Sequence, residues 1–146
     1  MDRVATTTTF GYLKRRTDME KQYKFNEFDV CTNPDILGEV GLFNQIMVAQ
    51  APNGKWGYGR SYQFDQADGS GGCWGVSLEC CRYQSRREAV LEACQRIKII
   101  ADRQENTGED TYEVTANGNK RKPCTCHDMR ECVEKAYNEV SQQTLF

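Results

Sequence analysis

Asn53-Gly54 stands between an apolar run, Phe43 to Gln50 (FNQIMVAQ), and a segment, Trp56 to Phe64, in which every second residue is large. Asn-Gly takes up positive φ at little cost, so such a dipeptide between two strand-like runs marks a tight β-hairpin. In the returning strand Trp56, Tyr58, Arg60, Tyr62 and Phe64 fall on one face, and Gly57, Gly59, Ser61 and Gln63 on the other. This follows from the two-residue period of a strand. An aromatic face of that kind must be covered by another layer, and the rest of the chain is constrained to supply one.

A third strand is expected over Trp74 to Tyr83, with Trp74, Val76, Leu78 and Cys80 on one side. Ser85-Arg86-Arg87-Glu88 then has the spacing of a capping box, in which the serine and the glutamate serve free N–H groups at a helix start. Val90, Ala93, Cys94, Ile97, Ile100 and Ala101 continue as a helical stripe. Met129, Cys132, Val133, Ala136, Tyr137 and Val140 form a second. The expected fold is therefore α+β. A three-stranded antiparallel meander (about 43–50, 56–64 and 74–83) is packed by a helix over about 86–103, lying against Trp56, Tyr58 and Trp74. A C-terminal helix spans about 127–141, and a short N-terminal helix about 18–28. Residues 1–17 read as an arm and 104–123 as a polar connection, with a short strand at 112–115 and a turn at Asn117-Gly118. The 146 residues suit one domain with one core.

Several function classes are disfavoured by composition. A net charge of -2 is unlike that of a dedicated nucleic-acid coat. No segment approaches the roughly 18 apolar residues of a membrane helix. The polar start, Met1 to Thr9, lacks the apolar stretch of an export signal, so a cytoplasmic location is expected. In a reducing compartment the eight cysteines are thiols or metal ligands rather than disulfides.

Cys124, Cys126 and His127 are the candidate zinc ligands, because thiolate and imidazole are the donors of tetrahedral structural sites. Cys132, or Cys73, Cys80 and Cys81 from the sheet, would complete the set. The spacing is tighter than that of a zinc knuckle, and Cys132 lies on the apolar stripe, so thiols packed as small hydrophobes are the favoured reading. His127 is the sole histidine, and no base-and-orienter set can be assembled around it, so no catalytic residue is assigned. The glycine loop around Asp68, Gly69 and Ser70 joins two strands and lacks the lysine of a phosphate loop. It reads as a hairpin connection and a contact point for a partner. The aromatic stripe would stack bases in a nucleic-acid protein, but here the downstream helix requires it as core. Three basic clusters remain: Lys14-Arg15-Arg16, Arg82 with Arg86-Arg87, and Lys120-Arg121-Lys122. Of these, Arg82, Arg86, Arg87, Lys120, Arg121 and Lys122 are the candidate contacts to an acidic surface or a phosphate backbone.

Ala51-Pro52-Asn53-Gly54-Lys55-Trp56, Tyr58-Gly59, the Gly69–Gly72 loop and Ser85-Arg86-Arg87-Glu88-Ala89 give residues 45–101 a pattern that resembles small accessory domains of plasmid and phage proteins. The C-terminal regions of ParB-like partition proteins are of this kind. The resemblance implies a meander with a helix and no catalytic residue. It also implies a binding role in a phage or mobile element, such as inhibition of a host defence system like CRISPR. The expectation is thus a non-enzymatic protein that binds a host protein or nucleoprotein complex. The alternatives are a nucleic-acid-binding module and a small zinc-stabilised structural domain.

Overall fold

The computed structural model describes residues 21–64, 71–107, 112–115, 118–121 and 125–143. Four strands, β1 (Asp35–Val40), β2 (Asn44–Gln50), β3 (Trp56–Gln63) and β4 (Gly71–Trp74), form one antiparallel sheet in sequence order. The Asn53-Gly54 hairpin joins β2 to β3 through a five-residue loop closed by the Gln50–Trp56 pair. Gly54 takes the positive φ of 88°. Its N–H donates to the Ala51 carbonyl at 2.9 Å, and Asn53 Oδ1 accepts the Lys55 N–H at 2.9 Å.

Helix α1 (Arg86–Thr107) and helix α2 (His127–Gln143) cover one face of the sheet, α1 over β2 and β3 and α2 chiefly over β1. Between α1 and α2, Tyr112–Thr115 (β5) pairs with Gly118–Arg121 (β6) as a separate hairpin. The expected strand at 112–115 is present; Asn117 lies outside the described residues. The capping box at α1 forms with one change. Ser85 Oγ accepts the Glu88 N–H at 3.1 Å, while the Glu88 carboxylate reaches past Ser85 to the Gln84 N–H at 2.8 Å.

The helix-side core brings Leu37, Ile46, Val48 and Tyr62 of the sheet against Val90, Ala93 and Ile97 of α1 and Met129, Cys132 and Ala136 of α2. Burying each of its larger aliphatic side chains contributes roughly 1.5–3 kcal/mol. Trp56 and Tyr58 join it, as their strand face requires. Trp74 does not: it sits on the edge strand, 51% exposed. Contact between α2 and β1 is closest at Gly38, whose φ is 64°. A Cβ there would meet the Cys132 carbonyl oxygen and lie 3.1 Å from Ala136 Cβ.

Three expectations are corrected. The strand expected over 74–83 is instead Gly71–Trp74; the chain then leaves the ladder, crosses the other face of β3 and makes one 3-10 turn at Leu78–Cys80. Glycines make this crossing possible. A Cβ on Gly59 would meet the Trp74 carbonyl and lie 2.7 Å from the Gly75 carbonyl carbon. One on Gly57 would lie 2.8 Å from Cys81 Sγ. The sheet therefore has four strands rather than three, β1 being the addition. Its alternation is broken in sequence by Gly38 and by an irregularity in register between Leu37 and Val40. The third correction concerns the N-terminal helix, of which residues 21–28 are described and are not helical. Asn26 Oδ1 takes the Phe28 and Val30 N–H groups at 2.8 and 3.1 Å, and Asp29 has a φ of 62°. Such side-chain capture of nearby N–H groups competes with helix formation. This segment and the crossing chain enclose a second apolar cluster on the far face, with Cys31, Met47, Ala49, Val76 and Cys81 buried. Among the described residues no helix is long and apolar enough to cross a membrane.

Candidate binding cleft

The departure of the chain after Trp74 leaves a gap along the edge of β3. Above the gap, Arg60 pairs with Trp74 in the ladder. Below it, Trp56 and Tyr83 exchange main-chain hydrogen bonds of 2.8 and 2.9 Å. Tyr58 lies between the two. Because N–H and C=O groups alternate sides along a strand, those of Tyr58 point into the gap, as those of Trp56 point to Tyr83. Tyr58, Arg60, Trp74, Ser77, Arg82 and Tyr83 are among the residues that line the resulting cleft, whose volume is about 330 Å³. That is at the small end of the range for ligand sites, roughly 300–1,000 Å³.

Each side chain is placed by local structure. Gly72 allows the indole of Trp74 to lie back over β4, since a Cβ there would come within 2.7 Å of the ring. The Arg60 guanidinium stacks on that indole, 4.4 Å from its centroid, a favourable cation–π arrangement. Arg60 Nε is buried and has no hydrogen-bond partner among the described residues. Among the described residues neither Arg60 nor Arg82 has an ion-pair partner. The rings of Tyr58 and Tyr83 lie 6.0 Å apart. Burial pushes the Tyr83 phenol above its ordinary pKa, with Tyr58 and Glu92 adding to the shift and Arg82 opposing it. The cleft is thus cationic and aromatic.

Of the residues expected from sequence to contact a partner, Arg82 lines this cleft. Arg86 is tied to Asp35, its Nε 3.4 Å from the carboxylate, which also accepts from Lys21 at 2.7 Å and Tyr23 at 2.6 Å. Arg87 is exposed in the first turn of α1. Lys120 and Arg121 lie on β6. Lys122, Asp68, Gly69, Ser70 and the Lys14-Arg15-Arg16 cluster lie outside the described residues.

The proposed zinc ligands are placed in different environments. Cys126 is fully buried in the helix-side core with a φ of 48°. His127 is exposed at the start of α2, its Nε2 3.7 Å from Glu131. Cys124 lies outside the described residues. Among the described residues, the ligand atoms of His127, Asp128 and Glu131 lie within 4.8 Å of one another, and no cysteine joins a group of three. A solvated cluster at a helix start is ordinary surface chemistry. Burial pushes the Cys81 and Cys94 thiols up to about 11 and that of Cys132 up to about 12. These thiols are packing groups rather than nucleophiles.

Arg60, Trp74 and Tyr83 are site residues that sequence reasoning missed, Trp74 being expected in the core, yet Arg60 carried a signal: it is the one charge on the aromatic stripe of β3. A larger groove of about 550 Å³ runs between α1 and α2, lined by Leu91, Ile97, Met129, Val133 and Tyr137. Lys98, Arg130 and Glu134 also line it, and Arg130 is already engaged by Glu105 and Asp102 at 2.7 Å each. That groove is lined mostly by aliphatic side chains, and its charges are of both signs, Lys98 and Arg130 against Glu134.

No protein-family model matches the chain, no curated protein is significantly similar to it, and no solved structure matches its fold. The likeness of residues 45–101 to ParB-like C-terminal regions therefore rests on the sequence pattern alone.

Proposed function

We propose that this chain is a non-enzymatic binding protein that takes an anionic partner into the cleft on the edge of β3. One observation carries the reading: Arg60 and Arg82, both without an ion-pair partner among the described residues, share a cleft with the exposed Trp74. A buried guanidinium nitrogen without an acceptor is costly, and an incoming anion would relieve that cost. The non-enzymatic part is supported by Cys81, Cys94 and Cys132, whose burial raises their pKa and disfavours the thiolate, and by the place of His127 on the exposed start of α2.

Inorganic polyphosphate tests the reading as a partner with charge and nothing else. Titrated at low salt and followed by tryptophan fluorescence, it binds the wild type, and the Arg60→Gln/Arg82→Gln double variant loses most of that binding. Absence of binding by the wild type at low salt would overturn the proposal.

A further inference from the structure

We propose that the cleft receives single-stranded nucleic acid, with one base stacked on Trp74 and the neighbouring phosphates held by Arg60 and Arg82. This rests on the anionic-partner reading and names its partner. Phe28, Phe43 and Tyr137 are at least as exposed as Trp74. Among the described residues, only Trp74 combines that exposure with an unpaired guanidinium against its ring. An acidic peptide would satisfy the two arginines and leave the indole unused. A nucleotide uses both, because every base has a face to stack and a phosphate beside it. The main-chain N–H and C=O of Tyr58, directed into the gap, add a donor and an acceptor there.

The same geometry disfavours a duplex. Paired bases have their faces covered by their neighbours, so they cannot reach a tryptophan at a sheet edge. A cleft of about 330 Å³ also has the scale of a single splayed unit rather than of a helix groove. The net charge of -2 limits the footprint. Two arginines facing two phosphates give a shallow salt dependence, a slope of roughly -1.4 in log K against log salt at about -0.7 per phosphate.

The test compares short oligo-dT, inorganic polyphosphate, polyglutamate and a short DNA duplex, each titrated into the full chain. Oligo-dT binds most tightly and with that slope. Trp74→Ala weakens it roughly 5- to 150-fold, the span expected for one stacked base, and weakens polyphosphate binding by a smaller factor. Trp74→Phe retains most of the oligo-dT affinity. If Trp74→Ala does not fold, a Trp56→Phe protein serves instead. It leaves Trp74 as the one tryptophan, and oligo-dT must shield it from acrylamide quenching. Equal binding of oligo-dT and polyphosphate, with no effect of Trp74→Ala, would remove the base and leave the anionic-partner reading standing. Tighter binding of polyglutamate would replace nucleic acid with an acidic protein, and tighter binding of duplex would overturn the single-stranded assignment. If nothing binds at low salt, both proposals fall together.

Discussion

Replacing Gly38 by alanine measures how closely α2 is seated on β1. At a φ of 64° an L side chain costs roughly 1–2 kcal/mol in the backbone alone. The new Cβ would also meet the Cys132 carbonyl oxygen and lie 3.1 Å from Ala136 Cβ and 3.3 Å from Ala136 N. These are main-chain atoms of α2, or a methyl fixed to it, so relief requires the helix to move. Overpacking of that kind adds about 1–3 kcal/mol, for a total of roughly 2–5 kcal/mol. Gly41 is a matched control: its φ is 63°, and nothing lies within 4 Å of where its Cβ would be. Gly41→Ala should therefore cost the backbone part alone. The lost freedom of the unfolded chain is common to both variants and cancels in their difference. In urea, with a slope of about 2 kcal/mol per molar, the midpoint falls by roughly 1–2.5 M for Gly38→Ala and roughly 0.5–1 M for Gly41→Ala. Equal shifts for the two variants would refute the packing argument and leave only the backbone term.

Further outcomes follow from the same structure. Ser85→Ala removes the acceptor of the Glu88 N–H and should lower stability by about 1 kcal/mol in the same urea assay; no change would mean that Glu88 alone secures this helix start. For Asp35, burial would raise the pKa, but hydrogen bonds from Lys21 and Tyr23 and the charges of Lys21 and Arg86 outweigh it and hold the carboxyl below its ordinary value. A depressed carboxyl stabilises the fold above its unfolded pKa of about 4 and loses that contribution as pH falls through the lower folded value. Thermal midpoints measured downward from pH 5 should therefore fall more steeply for the wild type than for Asp35→Asn, and parallel curves would count against the ion cluster. At pH 8 a maleimide should label the exposed Cys73 in the native protein, while the buried Cys94 and Cys132 should label only on unfolding. Peptide mapping that finds rapid native labelling of Cys132 would contradict the seating of α2.

Most of the layer plan could be read before the structure because local and tertiary demands agree there. The Asn53-Gly54 turn, the aromatic face of β3, the Ser85 cap and the two helical stripes all ask for the same arrangement, a sheet with helices on one side. The errors lie where tertiary contact overrides a local pattern. Trp74, Val76, Leu78 and Cys80 alternate as a strand should, yet the two glycines facing them on β3 admit a backbone crossing, and alternation alone does not separate a strand from a crossing chain. Gly38 hid β1 in the same way: in isolation it weakens a strand, and only the approach of Cys132 and Ala136 shows why glycine is needed.

The cleft was harder to read because it depends on a strand that stops. Had β4 continued to Tyr83, Trp74 would have been one more rung of a buried ladder, Tyr58 would have had a main-chain partner, and Arg60 would have been covered. The glycines of β3 that draw the chain across the far face are therefore the same residues that open the edge on the near side. Arg60 fits this account. An arginine in the middle of an aromatic stripe makes little sense on a face wholly sealed by α1, since a buried charge needs a partner. It makes sense at a gap, where its guanidinium lies against the indole of Trp74 and its Nε has no acceptor among the described residues. Filling Gly59 with a valine tests the connection, because a side chain there obstructs the crossing at Trp74 and Gly75. Oligo-dT affinity and urea stability should fall together, and a stable Gly59→Val protein with unchanged affinity would show that the cleft does not depend on the crossing.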